Sequence, residues 1–331
     1  MQREILRGMH AIALSPRPAA AAVSPRPGDT RASNTGAAAL TSAERHVAHL
    51  VDLDGMLGNL RDLGGPRVAG TESARRAAEL LRTKADAIEG WDVRIETLKG
   101  ASRLGTIPIH NVIAEKRGTN PDGQRGLVVG GAHFDTVPGS PGANDDGSGS
   151  VALLEAAQAL ATKPTKHDVR LVWFDGEEVG LVGSKAHVKA NAADTPRTLA
   201  MIQAEMLGSP HGSPVMLFGG STDARAGAPV VDIAAKLGIN LEVSKDRPYG
   251  SDHNPFADAG MPSMVVSTTA PPPRRILHDD PHYHSPNDTV ANLNKGDLSR
   301  MADLVATSVY AYANEPGRIA PNAPVEAPAS A

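Results

Sequence analysis

The residues best suited to chemistry begin in GGAHFDTVPGSPGANDDGSG, residues 130–149. This stretch offers His133, Asp135, Asp145 and Asp146 within a loop rich in glycine and proline. An imidazole beside several carboxylates is a donor set for a divalent cation of the zinc type. Asp, Asn and Gly also build ordinary solvated turns, so the loop alone leaves both readings open. Glu177 and Glu178 follow an apolar run, where they could equally be the acidic first turn of a helix. Glu205 stands inside AMIQAEML, and a lone carboxylate in such a run is costly unless it is paired or metal-bound. Ser251-Asp252-His253 and His282-Tyr283-His284 add further donors. Taken singly, His284 reads as a surface histidine, as do His46, His49, His167, His187 and His211.

These residues need elements to position them. Ser42 is placed to cap a helix whose apolar positions run from Val47 to Leu57, and Thr71 to cap a second through about Ala87. Apolar or alternating runs predict strands at 91–98, 110–115, 127–134, 169–174, 199–206, 215–218 and 264–267. Helices are expected at 148–162, 183–191, 228–237 and 295–313. Strands alternating with helices, and apolar enough to be buried on both faces, imply an α/β sandwich with a parallel centre. The first strands follow one another without a helix between them, so mixed directions are expected there. In such a sheet the loops after the strand C-termini converge on one crevice. His133, Asp145, the Glu177–Glu178 pair and Glu205 can therefore meet although they are far apart in sequence.

Composition narrows the chemistry. The chain has 331 residues, a formal net charge of -4 and no cysteine, so any metal must be held by His, Asp and Glu. The near-balanced charge argues against a nucleic-acid partner, and no apolar run is long enough to cross a membrane. With only 3% aromatic residues, the core must be aliphatic. Residues 1–40, rich in Ala, Pro, Ser and Arg, are expected to be a disordered tail or leader remnant, and residues 315–331 a disordered tail, around a single domain at 41–314. The apolar patch from Met9 to Leu14 is too short for a signal-peptide core.

Six motifs occur in a fixed order: His133-x-Asp135; Asn144-Asp145-Asp146-Gly147; Phe174-x-Gly-Glu177-Glu178-x-Gly-Leu-x-Gly-Ser184; Glu205-Met-x-Gly-Ser209; Ser251-Asp252-His253-x-Pro-Phe256; and Tyr283-His284-x-x-x-Asp288-Thr289. Together they resemble the co-catalytic di-zinc aminopeptidases, of the aminopeptidase Y and bacterial leucyl aminopeptidase type, which are zinc exopeptidases related to glutamate carboxypeptidase. The resemblance runs from about Leu53 to Ala313. It implies a three-layer sandwich with a mixed, mostly parallel sheet of about eight strands, and two Zn2+ ions per chain. Carried over by position, Asp145 bridges the ions, His133 and Glu205 complete one site, and Glu178 and His284 complete the other. Glu177 is implied to be the general base, Asp135 to orient His133, and Tyr283 to donate a hydrogen bond to the developing oxyanion. The implied substrates are peptides with a free N-terminus, handled by a monomer or simple homo-oligomer. An extracellular or cell-envelope location follows from the same resemblance, with the cytoplasm as the alternative.

Two positions depart from the pattern. Glu205 stands where the family most often has Asp, and Gly250 where some secreted members place a substrate-contacting Arg. A related zinc carboxypeptidase or dipeptidase is the competing enzyme reading; Arg274 and Arg275 are the nearby candidates for its substrate carboxylate. A glutaminyl cyclase would keep one metal, and a non-catalytic binding module on the same fold would have lost its ligands.

Overall fold

A computed structural model describes residues 39–48, 50–103, 105–220, 222–244, 250–268 and 280–315. Arg274, Arg275, Tyr249, His49 and nearly all of both expected tails lie outside the described residues. Two helices, α1 (Ser42–Ala48) and α2 (Leu53–Leu63), stand where the apolar positions run from Val47 to Leu57. The cap of α1 is Thr41 rather than Ser42. Its Oγ1 accepts from the Glu44 amide, and the Glu44 carboxylate accepts the Thr41 amide in return. Asp52 caps α2 through the Asp54 amide. Thr71 precedes α3 (Glu72–Asp86), but its hydroxyl donates to the Val68 carbonyl and makes no cap bond.

The strands are β1 (Asp92–Ser102), β2 (Gly105–Lys116), β3 (Leu127–His133), β4 (Asp168–Phe174), β5 (Thr198–Glu205), β6 (Val215–Phe218), β7 (Glu242–Ser244) and β8 (Ser263–Ser267). They form one sheet in the order β1-β2-β4-β3-β5-β8-β6-β7. The four central strands β4, β3, β5 and β8 are parallel. The β1–β2 hairpin runs antiparallel on one flank, as the unbroken strand succession predicts, and β6 is antiparallel to β8 on the other. β1 and β2 extend past the expected stretches, because the hairpin pairs with itself over short residues and a Pro108-interrupted alternation of Ile107 and Ile109.

Helices cover both faces. α4 (Gly147–Leu160) and α8 (Lys295–Asn314) pack together over β3 and β5, forming the larger core with Leu153, Leu160, Trp173, Met301 and Val309. On the other face Val129, Val172, Phe174 and Met201 meet Phe256 of a short helix, α7 (His253–Asp258), and Val188 of α5 (Val182–Ala190). α6 (Ala228–Lys236) packs beside α8. β7 and α7 are too short for their periodicity to stand out. β3, β4 and β5 are almost wholly buried, which is why they read as near-continuous apolar runs. No helix among the described residues is long and apolar enough to cross a membrane.

Candidate metal centre

Parallel strands ending side by side place their last residues in one crevice. His133 ends β3, Glu205 ends β5, and Glu177 and Glu178 follow β4. Asp145 lies in the loop before α4, and His284 in the segment before α8. Asp145 stands between two groups. Its Oδ1 is 3.2 Å from His133 Nε2, which is also 3.3 Å from Glu205 Oε1. Its Oδ2 is 3.1 Å from His284 Nε2, which lies 3.0 Å from Glu178 Oε2. His133, Asp145 and Glu205 thus form one group able to hold a cation, and Asp145, Glu178 and His284 a second.

The spacing suits metal ligation. Tetrahedral donors about 2.0–2.2 Å from an ion lie roughly 3.3–3.6 Å from one another, close to the separations here. All donors are nitrogen or carboxylate oxygen, and the buried Glu178 Oε1 has no hydrogen-bond partner among the described residues. The length of Glu205 is absorbed by anchoring its other oxygen: Oε2 accepts from Ser251 Oγ at 2.8 Å and from Gln203 Nε2 at 3.2 Å. Oε1 is left facing His133.

Several residues hold this arrangement without facing a cation. Asp135 accepts the amides of Glu177 at 3.0 Å and Glu178 at 3.2 Å, fixing the loop after β4. His133 Nδ1 lies 3.1 Å from the Asp135 carbonyl and 3.4 Å from its carboxylate, so both parts of Asp135 face the ring. Asp146 caps α4 through Gly149 and also accepts the amides of His133 and Met206, tying together the ends of β3 and β5. Asp288 accepts the amides of Asn144 and Asp145. Arg67 is buried beneath the loop and donates to the carbonyls of Gly64, Phe134, Pro141 and Gly142.

Of these, Asp135, Asp146 and Asp288 stand in the recognisable motifs, although only Asp135 has an assigned role there. Gln203 and Arg67 carry no sequence signal, because their significance lies in partners far away in the chain. Among the described residues, three that are not glycine adopt the left-handed region: Leu181, Met206 and His284. All three lie in loops bordering the crevice, where strain is tolerated when surrounding contacts fix the backbone.

The electrostatics follow from the crowding of carboxylates around two histidines. Burial pushes the His133 imidazole down, but Glu205, Asp135 and Asp145 more than reverse this and hold it well above its ordinary pKa. For His284 burial is likewise overcome, by Asp145 and Glu178, and its pKa rises to about 10. Burial and the charge of Asp145 push Glu178 up to about 7. Burial, reinforced by Glu178, Asp252 and Glu205, pushes Glu177 well above the usual carboxylate range. Only Asp145, between the two histidines, is held low against its burial. Burial and mutual repulsion thus favour the protonated forms of Glu177 and Glu178, and bound divalent cations would relieve that repulsion.

Tyr283 stacks on His284, with ring centroids 3.7 Å apart, and lines the crevice with Glu177. Two histidines expected at the surface are buried. His187 meets Glu96 at 2.8 Å, and His167 accepts the Gly126 amide. Each is drawn inward by a partner remote in sequence.

A sheet presenting two histidine–carboxylate groups at its parallel strand ends defines a class of metal-site α/β proteins. Within it, residues 111–309 match the model of peptidase family M28, and the chain belongs to that family. It is similar to leupeptin-inactivating enzyme 1 of Streptomyces exfoliatus, with 29% identity over 308 residues, covering 88% of this chain and 64% of the relative. It is 31% identical over 207 residues to aminopeptidase YwaD of Bacillus subtilis, covering 60% of this chain and 44% of that protein. The chain therefore spans less than two thirds of the length of these curated relatives. Its fold matches an aminopeptidase from Aneurinibacillus sp. strain AM-1 with a TM-score of 0.70 and 20% identity, over 84% of this chain and 98% of that one.

Proposed function

We propose that this protein is a zinc-dependent aminopeptidase that removes N-terminal residues from peptides. The observation that carries the reading is Asp145, whose two oxygens face separate His–carboxylate pairs, with Glu177 in the same crevice but in neither group. His133 and Glu205 would hold one zinc ion, His284 and Glu178 the other, and Asp145 both. When bound, the ions supply Lewis acidity to the scissile carbonyl and make water a stronger acid.

The side chains account for the rest. Glu177 takes a proton from the attacking water and returns it to the leaving amine. Its raised proton affinity suits that transfer, and the Asp135–amide bond fixes its loop. The Tyr283 hydroxyl, held neutral by burial and the surrounding carboxylates, donates to the developing oxyanion. Glu177 and Glu205 face the substrate ammonium and so select an unblocked N-terminus.

The two curated relatives above include a protein named as an aminopeptidase, which favours this reading over a carboxypeptidase or dipeptidase. A non-catalytic module would not be expected to keep all five donors and Glu177. The peptidase domain is assigned to residues 41–314, acting as a monomer or simple homo-oligomer outside the cytoplasm; cell fractionation and light scattering test these points. The activity itself is tested with aminoacyl-p-nitroanilides, free and N-acetylated, before and after chelation. Cleavage of the free-amine forms alone, lost on chelation and regained with zinc, is expected. No cleavage by a folded protein carrying two zinc ions per chain would rule the reading out.

A further inference from the structure

The crevice opens as a cavity of about 380 Å3 whose lining carries both signs of charge. Asp145, Glu177, Glu178 and Glu205 supply its carboxylates, and Arg103 and Lys185 its cations. Arg103 lies in the turn of the β1–β2 hairpin. It is exposed and makes no hydrogen bond or ion pair among the described residues.

The hairpin is fixed in place. A Cβ on Gly100 would come within 2.0 Å of Val182 Cγ1, so its backbone lies directly against the first turn of α5. Leu98 and Ile107 pack on the apolar cluster of Ile109, Val179 and Val182. The same helix carries Lys185, whose ammonium donates to the Gly180 carbonyl at 2.9 Å and keeps two further donors. Gly250 also lines the cavity and contributes no charge.

We propose that Arg103 and Lys185 bind a carboxylate on the leaving side of the substrate, making short peptides with a free C-terminus preferred substrates. The proposal rests on the aminopeptidase reading, which places the ammonium and scissile bond among the carboxylates. The departing residues then point outward. Two residues of extended chain span roughly 7 Å, and the two cations line the same cavity as the carboxylates. A carboxylate one or two residues beyond the scissile bond does not change during bond cleavage. Its contact therefore acts equally on ground and transition states and appears in KM rather than kcat.

The test compares Leu-Gly-Gly, Leu-Gly-Gly-amide and Leu-Asp-Gly-amide on the zinc-loaded protein. About tenfold higher kcat/KM for the acid than for the amide is expected at low salt, carried by KM and shrinking as salt is added. Arg103→Gln and Lys185→Gln should each reduce the acid-to-amide ratio, and Arg103→Lys should restore part of it. The ratio is taken within one protein, so a general loss of activity or folding cancels. A tripeptide with a reduced first peptide bond gives the same comparison as Kd by calorimetry, without turnover.

If Leu-Asp-Gly-amide matches the acid, the rim accepts side-chain carboxylates as well; if it behaves as the plain amide, only the C-terminus is read. Equal rates on acid and amide, or a ratio untouched by both glutamine variants, overturn the proposal. Leu-p-nitroanilide, which has no carboxylate, separates the two failures. Its cleavage keeps the aminopeptidase reading when the rim fails, and the loss of all cleavage ends both.

Discussion

The two ends of the central strands treat charge in opposite ways. Where β3, β4 and β5 begin, arginines and carboxylates alternate in a continuous series: Arg94, Glu115, Arg170, Asp194, Arg197, Asp168, Arg125, Asp122 and Arg117. Where the same strands end, Asp145, Glu177, Glu178 and Glu205 crowd together, and the buried Arg67 is committed to backbone carbonyls. At the first end Arg170 and Arg94 outweigh burial to lower the proton affinity of Glu115, and Arg197 and Arg170 do the same for Asp194. At the other end burial and repulsion raise those of Glu177 and Glu178. A hollow of about 760 Å3 at the arginine end is larger than the metal crevice, but Arg125, Asp168 and Arg197 along its wall are already paired. Size therefore does not identify the site; uncompensated charge does.

The largest effect expected from this contrast is catalytic. On the proposed assignment, Glu177→Gln removes a proton carrier and no metal donor. It should lower kcat on Leu-p-nitroanilide about 10²–10⁴-fold, with two zinc ions per chain retained by atomic emission. Loss of zinc in this variant would move Glu177 from base to ligand.

Stability should respond next. A cation relieving the crowded end stabilises the fold by about 2.7 kcal/mol per site at a concentration 100 times its Kd. Chelation should accordingly lower the melting temperature by at least about 5 °C, read by calorimetry. An unchanged melting temperature would mean that neither group binds metal appreciably.

The third effect is a pH dependence. Asp175, just after β4, is buried and repelled by Asp135, and its pKa is raised to about 8. The folded chain therefore holds this proton more tightly than the unfolded chain. Between about pH 4 and pH 8 the unfolded carboxyl is ionised while the folded one is not, so stability falls as pH rises through that window. The slope from this group is at most about 1.4 kcal/mol per pH unit. Urea midpoints measured with metal present should show the fall, and Asp175→Asn should flatten it.

The smallest effects belong to the arginine series. Arg170 is largely buried and bonds Glu115 and Asp194, both partly exposed, so Arg170→Met should destabilise by about 1–2 kcal/mol while leaving zinc content intact. Arg117 pairs with Asp122 in solvent, and Arg117→Gln should leave the urea midpoint unchanged within error. An Arg117 effect as large as that of Arg170 would show that the series acts as one cooperative network.

Much of the fold was legible because β3, β4 and β5 are buried on both faces and must be apolar throughout. The hairpin was legible only in part. Its outer half is paired with itself and covered on one face only, so little in residue type marks its length or the place where Arg103 arrives. Among the site residues, the donors stood out because carboxylates and histidines beside apolar runs are conspicuous. Gln203 and Arg67 did not, since an amide or an arginine acquires meaning only from the atom it faces; Ser251 stood in a motif, but its bond to Glu205 was not legible there.

The sequence by itself determined the donor inventory. Without cysteine, and with His, Asp and Glu following apolar runs, only nitrogen and oxygen ligation was open, on an alternating α/β framework. Tertiary structure alone decided that Asp145 faces both histidines, that Asp288 holds its backbone, and that the hairpin carries the Arg103 guanidinium to the cavity. The physical reason is that donor chemistry belongs to single side chains, whereas charge balance depends on distances set by strands that meet only after folding.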